Sequence, residues 1–332
     1  MMELIEKASK VYEENFPMTT CFERAVFYSW ACQLEECCKY CFMSTLPKEK
    51  RTNERVRSFG SLLAETVLCK RLGWDYGFLS GGIGVFDDQK VFDLIKKTYQ
   101  IMGEKIWVNI GNLDHDQILR FKPYIKGVIG TVEVLDPKLH KEICPSKPIE
   151  PVEEMFDAAK KAGVDSGMTI IIGLGERIED FPLLERFIEK NSINKIHIYG
   201  LNPQKGTMFE DSEPPSADYQ AEWIAKTRIA FPKIDIQCGI WLDRVDRISI
   251  LLKAGANSIS KFPILKSFGR KETHEMVRQA EVAGREFLGN VTQIPDIDWG
   301  VEELPFDDEL RRQIKLKLDS YLERMKKNCI SR

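Results

Sequence analysis

Four of the nine cysteines fall within ten residues, Cys32-Gln-Leu-Glu-Glu-Cys37-Cys38-Lys-Tyr-Cys41, and any fold for this sequence must find a use for that density of thiols. With 332 residues, 43% of them hydrophobic, the chain can build a core without disulfide staples. Thiols kept reduced and ready to bind a metal are the reading that fits, and the cytoplasm is the compartment expected to keep them so.

Two kinds of metal site compete for the stretch. A structural zinc site wants four ligands, commonly as two separated pairs, and no second Cys or His pair follows here. A zinc site drawn from Cys32, Cys37, Cys38 and Cys41 stays open on spacing alone. Three thiolates in one short loop suit a [4Fe–4S] cluster with one iron left for an outside ligand. Cys32, Cys38 and Cys41 give C-x5-C-x2-C, with Tyr40 just before the last cysteine. Adjacent residues of an extended backbone point opposite ways, so Cys37 and Cys38 are not expected to serve one cluster together. Cys38 is assigned, and the C-x4-C-x3-C set through Cys37 is kept as its alternate.

The formal net charge of −3 carries no electrostatic footprint for nucleic acid. Apolar runs such as Met168-Thr-Ile-Ile-Ile-Gly173 fall well short of the roughly 20 residues that cross a bilayer, so no membrane association is expected. What the sequence does repeat is a strand followed by a helix. Strands are expected over 23–31, 76–79, 105–110, 127–134, 167–172, 195–199, 234–240 and 257–260. Helices follow over 53–72, with Asn53 and Glu54 as its start, then 88–102, 114–121, 152–162, 179–190, 218–229, 244–254 and about 273–287. Eight such units predict an α/β fold, a (β/α)8 TIM-type barrel, with an open doubly wound sheet as the alternative. An amphipathic helix within 1–20 is expected to cap the body, and a helix over 307–325 to lie outside it. No domain boundary is visible: the chain reads as one domain over 1–332, with its core at about 23–290 and an extension over about 291–332.

In a barrel of this kind the chemistry sits at the C-terminal strand ends. The cysteine loop follows strand 1, Ser80-Gly81-Gly82 follows strand 2, Glu133 ends strand 4, and Thr169-x-Ile171-x-Gly173-x-x-Glu176 runs off strand 5. This order, with the C-x2-C end and its aromatic, resembles the biotin synthase-like branch of the radical S-adenosylmethionine (SAM) superfamily from about Cys32 to Lys266. That family's usual C-x3-C-x2-C is widened here by two, Leu34 standing at the usual first position. The resemblance implies a [4Fe–4S] cluster and SAM as cofactors, with Tyr40 against adenine. Ser80, Gly81 and Gly82 take the methionine amine through backbone contacts alone, because Ile83 and Gly84 replace the acidic end of that motif. Glu133 is implied near the ribose and amine, and Ile171 and Gly173 beside adenine. No arginine matches the family's SAM-carboxylate residue, and Lys147 is the substitute. The implied chemistry is reductive cleavage of SAM to a 5′-deoxyadenosyl radical that takes hydrogen from a small-molecule substrate, with a ferredoxin or flavodoxin as electron donor.

Within that family the C-x5-C-x2-C spacing, Gly-Leu-Gly-Glu176 and the late Ala256-Asn-Ser-Ile-Ser-Lys-Phe-Pro263 stretch are similar to the radical SAM proteins of iron-guanylylpyridinol cofactor synthesis. The cofactor belongs to the mono-iron hydrogenase of hydrogenotrophic methanogens, and the implied substrate is a pyridinol precursor. Other hydrogenase maturation, sulfur insertion, or a non-catalytic zinc-stabilised binding barrel are the alternatives. Tyr28, Trp30, Asn109, His197, Tyr199, Gln237 and Trp241 occupy alternating strand positions that face a lumen, with His197 read as a structural histidine. Cys69 is read as core, Cys21, Cys238 and Cys329 as structural or incidental, and Cys144, with no thiol beside it in sequence, as lacking a redox or second-cluster role.

Overall fold

The structure, a computed structural model, describes residues 1–50, 55–85 and 87–330. After helix α1 (Met2–Asn15) and a short strand β1 (Thr19–Cys21), the chain enters the expected alternation. The strands are β2 (Glu23–Phe27), β3 (Asp75–Ser80), β4 (Ile106–Asn109), β5 (Ile125–Glu133), β6 (Asp165–Ile172), β7 (Lys195–Gly200), β8 (Asp235–Gly239) and β9 (Ser258–Ser260). Every neighbouring pair from β2 to β9 is parallel and sequential, and a parallel bridge from Phe22 to Ile259 joins the last strand to the first. The sheet is therefore a nearly closed barrel, not the open doubly wound alternative.

Parallel strands covered by helices are buried on both faces and read as apolar runs. Ile170 and Ile172 of β6, with Ile196 and Ile198 of β7, pack outward into the helical layer. Ala25, Phe78, Trp107 and Ile129 form a separate apolar cluster, with Phe27 packed against it, inside the ring.

The helices are α2 (Phe59–Leu72), α3 (Asp88–Met102), α4 (His115–Phe121), α5 (Pro137–Ile143), α6 (Glu150–Ala162), α7 (Phe181–Asn191), α8 (Ala217–Ala230), α9 (Ile248–Lys253), α10 (Ile264–Ser267), α11 (Lys271–Val282) and α12 (Asp308–Ile330). Helix α2 starts at Ser58, whose side chain accepts the Ser61 amide; the expected start at Asn53 and Glu54 lies outside the described residues. The helix expected to run to 287 stops at Val282, and the chain becomes strand β10 (Glu286–Leu288), paired in parallel with β1. The expected cap α1 instead packs along α8 and α9 on the barrel's flank, with the Tyr12 ring against Arg228 and Arg285. The expected outer helix α12 packs on α2 and reaches the barrel mouth.

Candidate active site

The cysteine loop is a closed excursion from the end of β2. Its two ends are zipped together: the Arg57 amide donates to the Tyr28 carbonyl at 2.8 Å and the Trp30 amide to the Arg55 carbonyl at 3.2 Å. Loops from three other strand ends hold it over the mouth. The Gln33 amide donates to the Ile83 carbonyl (2.8 Å), the Lys39 amide to the Ile143 carbonyl (2.9 Å), and the Met208 amide to the Lys39 carbonyl (3.2 Å). Cys32, Cys37, Cys38 and Cys41 all line one cavity there.

Adjacent Cys37 and Cys38 do part company. Cys37 packs with Cys32 and Met43, whereas Cys38 joins Val134, Ile143 and Cys144; Cys41 packs against both groups. Hydrogen bonding from Cys37, opposed by burial, brings the Cys32 thiol down to about 6. Hydrogen bonding from Cys144, again opposed by burial, brings Cys38 down to about 7, and Cys144 is pushed up in return. Burial raises Cys41 to about 11. Cys144 thus has a thiol partner after all, supplied by the fold and not by its sequence neighbours. Among the described residues no three His, Cys, Asp or Glu side chains converge on one metal ion. A cluster asks for less, since each thiolate binds its own iron.

Across the mouth, Glu133 sits where β5 slips register against β6 between Thr131 and Glu133. Its φ of 69° places it in the left-handed region, a strained position for a residue with a side chain. The bulge aims a buried carboxylate into the cavity. Oε1 accepts from Lys147 Nζ at 2.7 Å; Oε2 is buried with no hydrogen-bond partner among the described residues. Lys147 also donates to Thr131 Oγ1 (3.1 Å), so the residue expected to meet the SAM carboxylate is instead engaged by Glu133 and Thr131. Burial works against its charge, and the carboxylate beside it more than offsets this. Buried His140 braces the pair, its ring nitrogens lying 3.0 Å from the Val134 carbonyl and 2.7 Å from that of Lys147. Tyr40 packs in the Cys38 cluster near Glu133, and burial followed by that charge keeps its phenol protonated.

Ser80, Gly81 and Gly82 line the cavity under the first cysteine. A Cβ on Gly82 would stand 1.6 Å from the Ala31 carbonyl oxygen, so the glycine is demanded by the chain's own close approach. The Gly82 amide donates to Ser29 Oγ (2.8 Å) and its carbonyl accepts from Tyr28 OH (3.3 Å). Of the Gly82 backbone groups only the carbonyl could accept from the methionine amine, and it already accepts one bond inside the protein. Ile171 lines the cavity; Gly173 does not, and its φ of 95° packs it against Pro215 and Leu201. Glu176 closes that loop on itself by accepting the amides of Gly173 (2.7 Å) and Leu174 (2.9 Å).

The sequence profile of the Radical SAM superfamily matches residues 31–188, the segment that carries this loop, the glycines and Glu133. An uncharacterized protein of Methanocaldococcus jannaschii is 35% identical over 342 residues, covering 98% of this chain and 95% of that one. Biotin synthase of Clostridium botulinum is 26% identical over 71% of this chain and 76% of its own. The crystal structure of methylornithine synthase superposes with a TM-score of 0.72 at 20% identity, covering 86% and 88% of the two chains. The chain belongs to the radical SAM superfamily. It is a radical SAM enzyme, and its cofactors are a [4Fe–4S] cluster and SAM. The mouth suits them: two of its thiols are acidified toward the thiolate form that binds iron, and a buried carboxylate oxygen stands without a partner among the described residues.

The cavity of this radical SAM barrel has a volume of about 660 Å³. Of the residues expected to face the lumen, Trp30, Asn109, Tyr199 and Trp241 line the cavity, His197 and Gln237 face inward beneath it, and Tyr28 is not among its lining. His197 is buried between the Phe78 and Tyr199 rings, with Nδ1 3.2 Å from Thr169 Oγ1. Gln237 belongs to a buried network below the cavity, donating to Glu23 while Tyr199 OH donates to it at 2.5 Å. Cys69 and Cys238 are buried in the core as read.

Sequence reasoning missed the cations of the wall. Arg24 and Arg57 share Glu65, the latter at 2.7 Å. Tyr321 of α12 bonds Ser61 and Arg57, and with Arg324 completes the rim. Lys261, inside the late stretch already noted, is pushed down to about 8 by burial.

Proposed function

We propose that this radical SAM enzyme acts on a pyridinol precursor in iron-guanylylpyridinol cofactor synthesis, and that Cys32, Cys38 and Cys41 hold its cluster. The observation that carries the reading is one cavity onto which the cysteine loop, a strained and half-partnered Glu133, and an aromatic lumen all open. Cluster and SAM, when bound, supply reductive cleavage of the sulfonium bond and a carbon radical that abstracts hydrogen. The chain's own residues orient and enclose. Glu133 Oε2 accepts from the amine or ribose of SAM, Tyr40 and Ile171 border adenine, Ser80 and Gly81 offer backbone contacts, and the rings of Phe27, Phe78 and Trp241 exclude water.

The pathway is supported by the C-x5-C-x2-C spacing and the Ala256–Pro263 stretch. A second reading keeps the chemistry and changes the pathway to sulfur insertion, on the strength of the likeness to biotin synthase. In either reading the chain acts as one domain in the cytoplasm, with reduced ferredoxin or flavodoxin as donor; no helix among the described residues is long and apolar enough to cross a membrane.

Anaerobic reconstitution tests the proposal. It expects about four irons with matching sulfide per chain, 5′-deoxyadenosine formation under dithionite, and faster SAM cleavage with a pyridinol precursor. A colourless protein that leaves SAM intact sinks the cluster assignment. Acceleration by a sulfur-insertion substrate alone transfers the enzyme to the second reading.

A further inference from the structure

Lys261 follows β9 directly, at the barrel's C-terminal end, with a φ of 65° that side-chain-bearing residues rarely adopt. Its ammonium lies 4.7 Å from the centroid of the Tyr199 ring, 5.1 Å from Phe27 and 5.6 Å from Phe78. Among the described residues it has no hydrogen bond and no ion pair. The neighbouring cations differ: Arg24 and Arg57 have Glu65, and Lys147 has Glu133. Aromatic faces stabilise an ammonium only in part, and a half-buried cation without an anion is costly to keep.

The wall as a whole has the same bias. Arg24, Arg57, Lys147, Lys261, Lys266 and Arg324 face the cavity, against two carboxylates, Glu65 and Glu133. Lys266 and Arg324 are exposed at the rim, whereas Lys261 sits deep among the rings. A strained backbone, a three-ring cage and a cation that feels the Glu133 charge only at a distance, with no hydrogen bond or ion pair of its own among the described residues, describe at one point of a substrate-sized cavity a binding group waiting for its anion.

We propose that Lys261 anchors a carboxylate, or an equivalent anionic oxygen, on the small-molecule substrate, and that the Phe27, Phe78 and Tyr199 rings select a flat unsaturated body attached to it. The proposal rests on the reading of this cavity as the substrate site. SAM carries a carboxylate of its own, so the test must separate the two anions.

The probes are benzoate and its neutral counterpart benzamide, titrated calorimetrically into reconstituted protein whose iron content and SAM cleavage are measured on the same preparation. Benzoate is expected to bind at least about tenfold more tightly than benzamide, the lower end for a hydrogen bond to a charged group. Lys261→Met should abolish that preference, Lys261→Arg should retain part of it, and SAM affinity should change less than about twofold in both. Circular dichroism establishes folding, and Lys261→Gln replaces the methionine variant if that one fails to fold. Equal binding of the two probes by the parent protein, or an undiminished preference in the neutral variant, overturns the proposal. So does a parallel loss of SAM affinity, which assigns Lys261 to the cofactor. A preparation lacking iron that still prefers benzoate defeats the cluster assignment and leaves the anchor standing.

Discussion

Lys147 Nζ stands 2.7 Å from Glu133 Oε1, a buried ion pair joining a strand bulge to a loop 14 residues further on. Removing one partner leaves the other charged and desolvated. Lys147→Met is expected to cost roughly 3–5 kcal/mol in urea unfolding of the cluster-free protein. The double variant with Glu133→Gln should recover most of that loss, since it leaves no lone buried charge. A double variant as unstable as the single one would show that Lys147 acts through packing alone.

The split between Cys37 and Cys38 gives the ligand assignment a direct test. Cys38→Ala and Cys41→Ala should each abolish 5′-deoxyadenosine formation and lower iron content, while Cys37→Ala keeps both. Activity in Cys38→Ala together with its loss in Cys37→Ala reassigns the middle ligand.

Gly82 holds up the first cysteine from below. Its replacement by alanine drives a methyl into the Ala31 carbonyl, so the loop must move and iron incorporation should fall steeply. Ser29→Ala removes the acceptor of the Gly82 amide and a long 3.4 Å bond donated to the Ala31 carbonyl, at a cost of about 1–3 kcal/mol. Iron loading measured after identical reconstitution should rank the parent above Ser29→Ala and Gly82→Ala last.

His197 sets a pH dependence. Burial first, then the charges of Lys195 and Lys261, keep its imidazole well below the ordinary value. The unfolded chain takes up that proton as pH falls through about 6.5, while the folded chain does not. The contribution is complete above about 6.5 and declines below it, by about 1.4 kcal/mol per pH unit. His197→Asn should flatten the stability profile between about pH 6.5 and 5; an unchanged profile would place the proton on the folded imidazole.

The barrel was legible because strand faces turned to the helical layer must be apolar; the isoleucines of Met168–Ile172 and the Ile196 and Ile198 pair announce themselves even though Thr169 and His197 lie between them. Strands β1 and β10, three residues each, are too short for any periodicity, and their pairing depends on chain ends meeting. The thiol loop, Glu133 and the glycines were visible as residue types at strand ends. Their partners were not: Cys144 beside Cys38, Lys147 on Glu133 and Ser29 under Gly82 are products of closure. Lys261 lay in a stretch singled out for likeness, but its cage is assembled from β2, β3 and β7 and has no signature along the chain.

Seven of the barrel's eight joints are laced by runs of paired residues, whereas the described joint between β9 and β2 is the single bridge from Phe22 to Ile259. The ring is a belt, and this is its buckle. Two residues past the bridge on either side come Arg24 and Lys261, so the seam with the least lacing to undo is flanked by positive charge. Arg24 is already held by Glu65, so an anion taken up at this seam falls to Lys261, whose ammonium lies over rings of β2 and β3 across the gap.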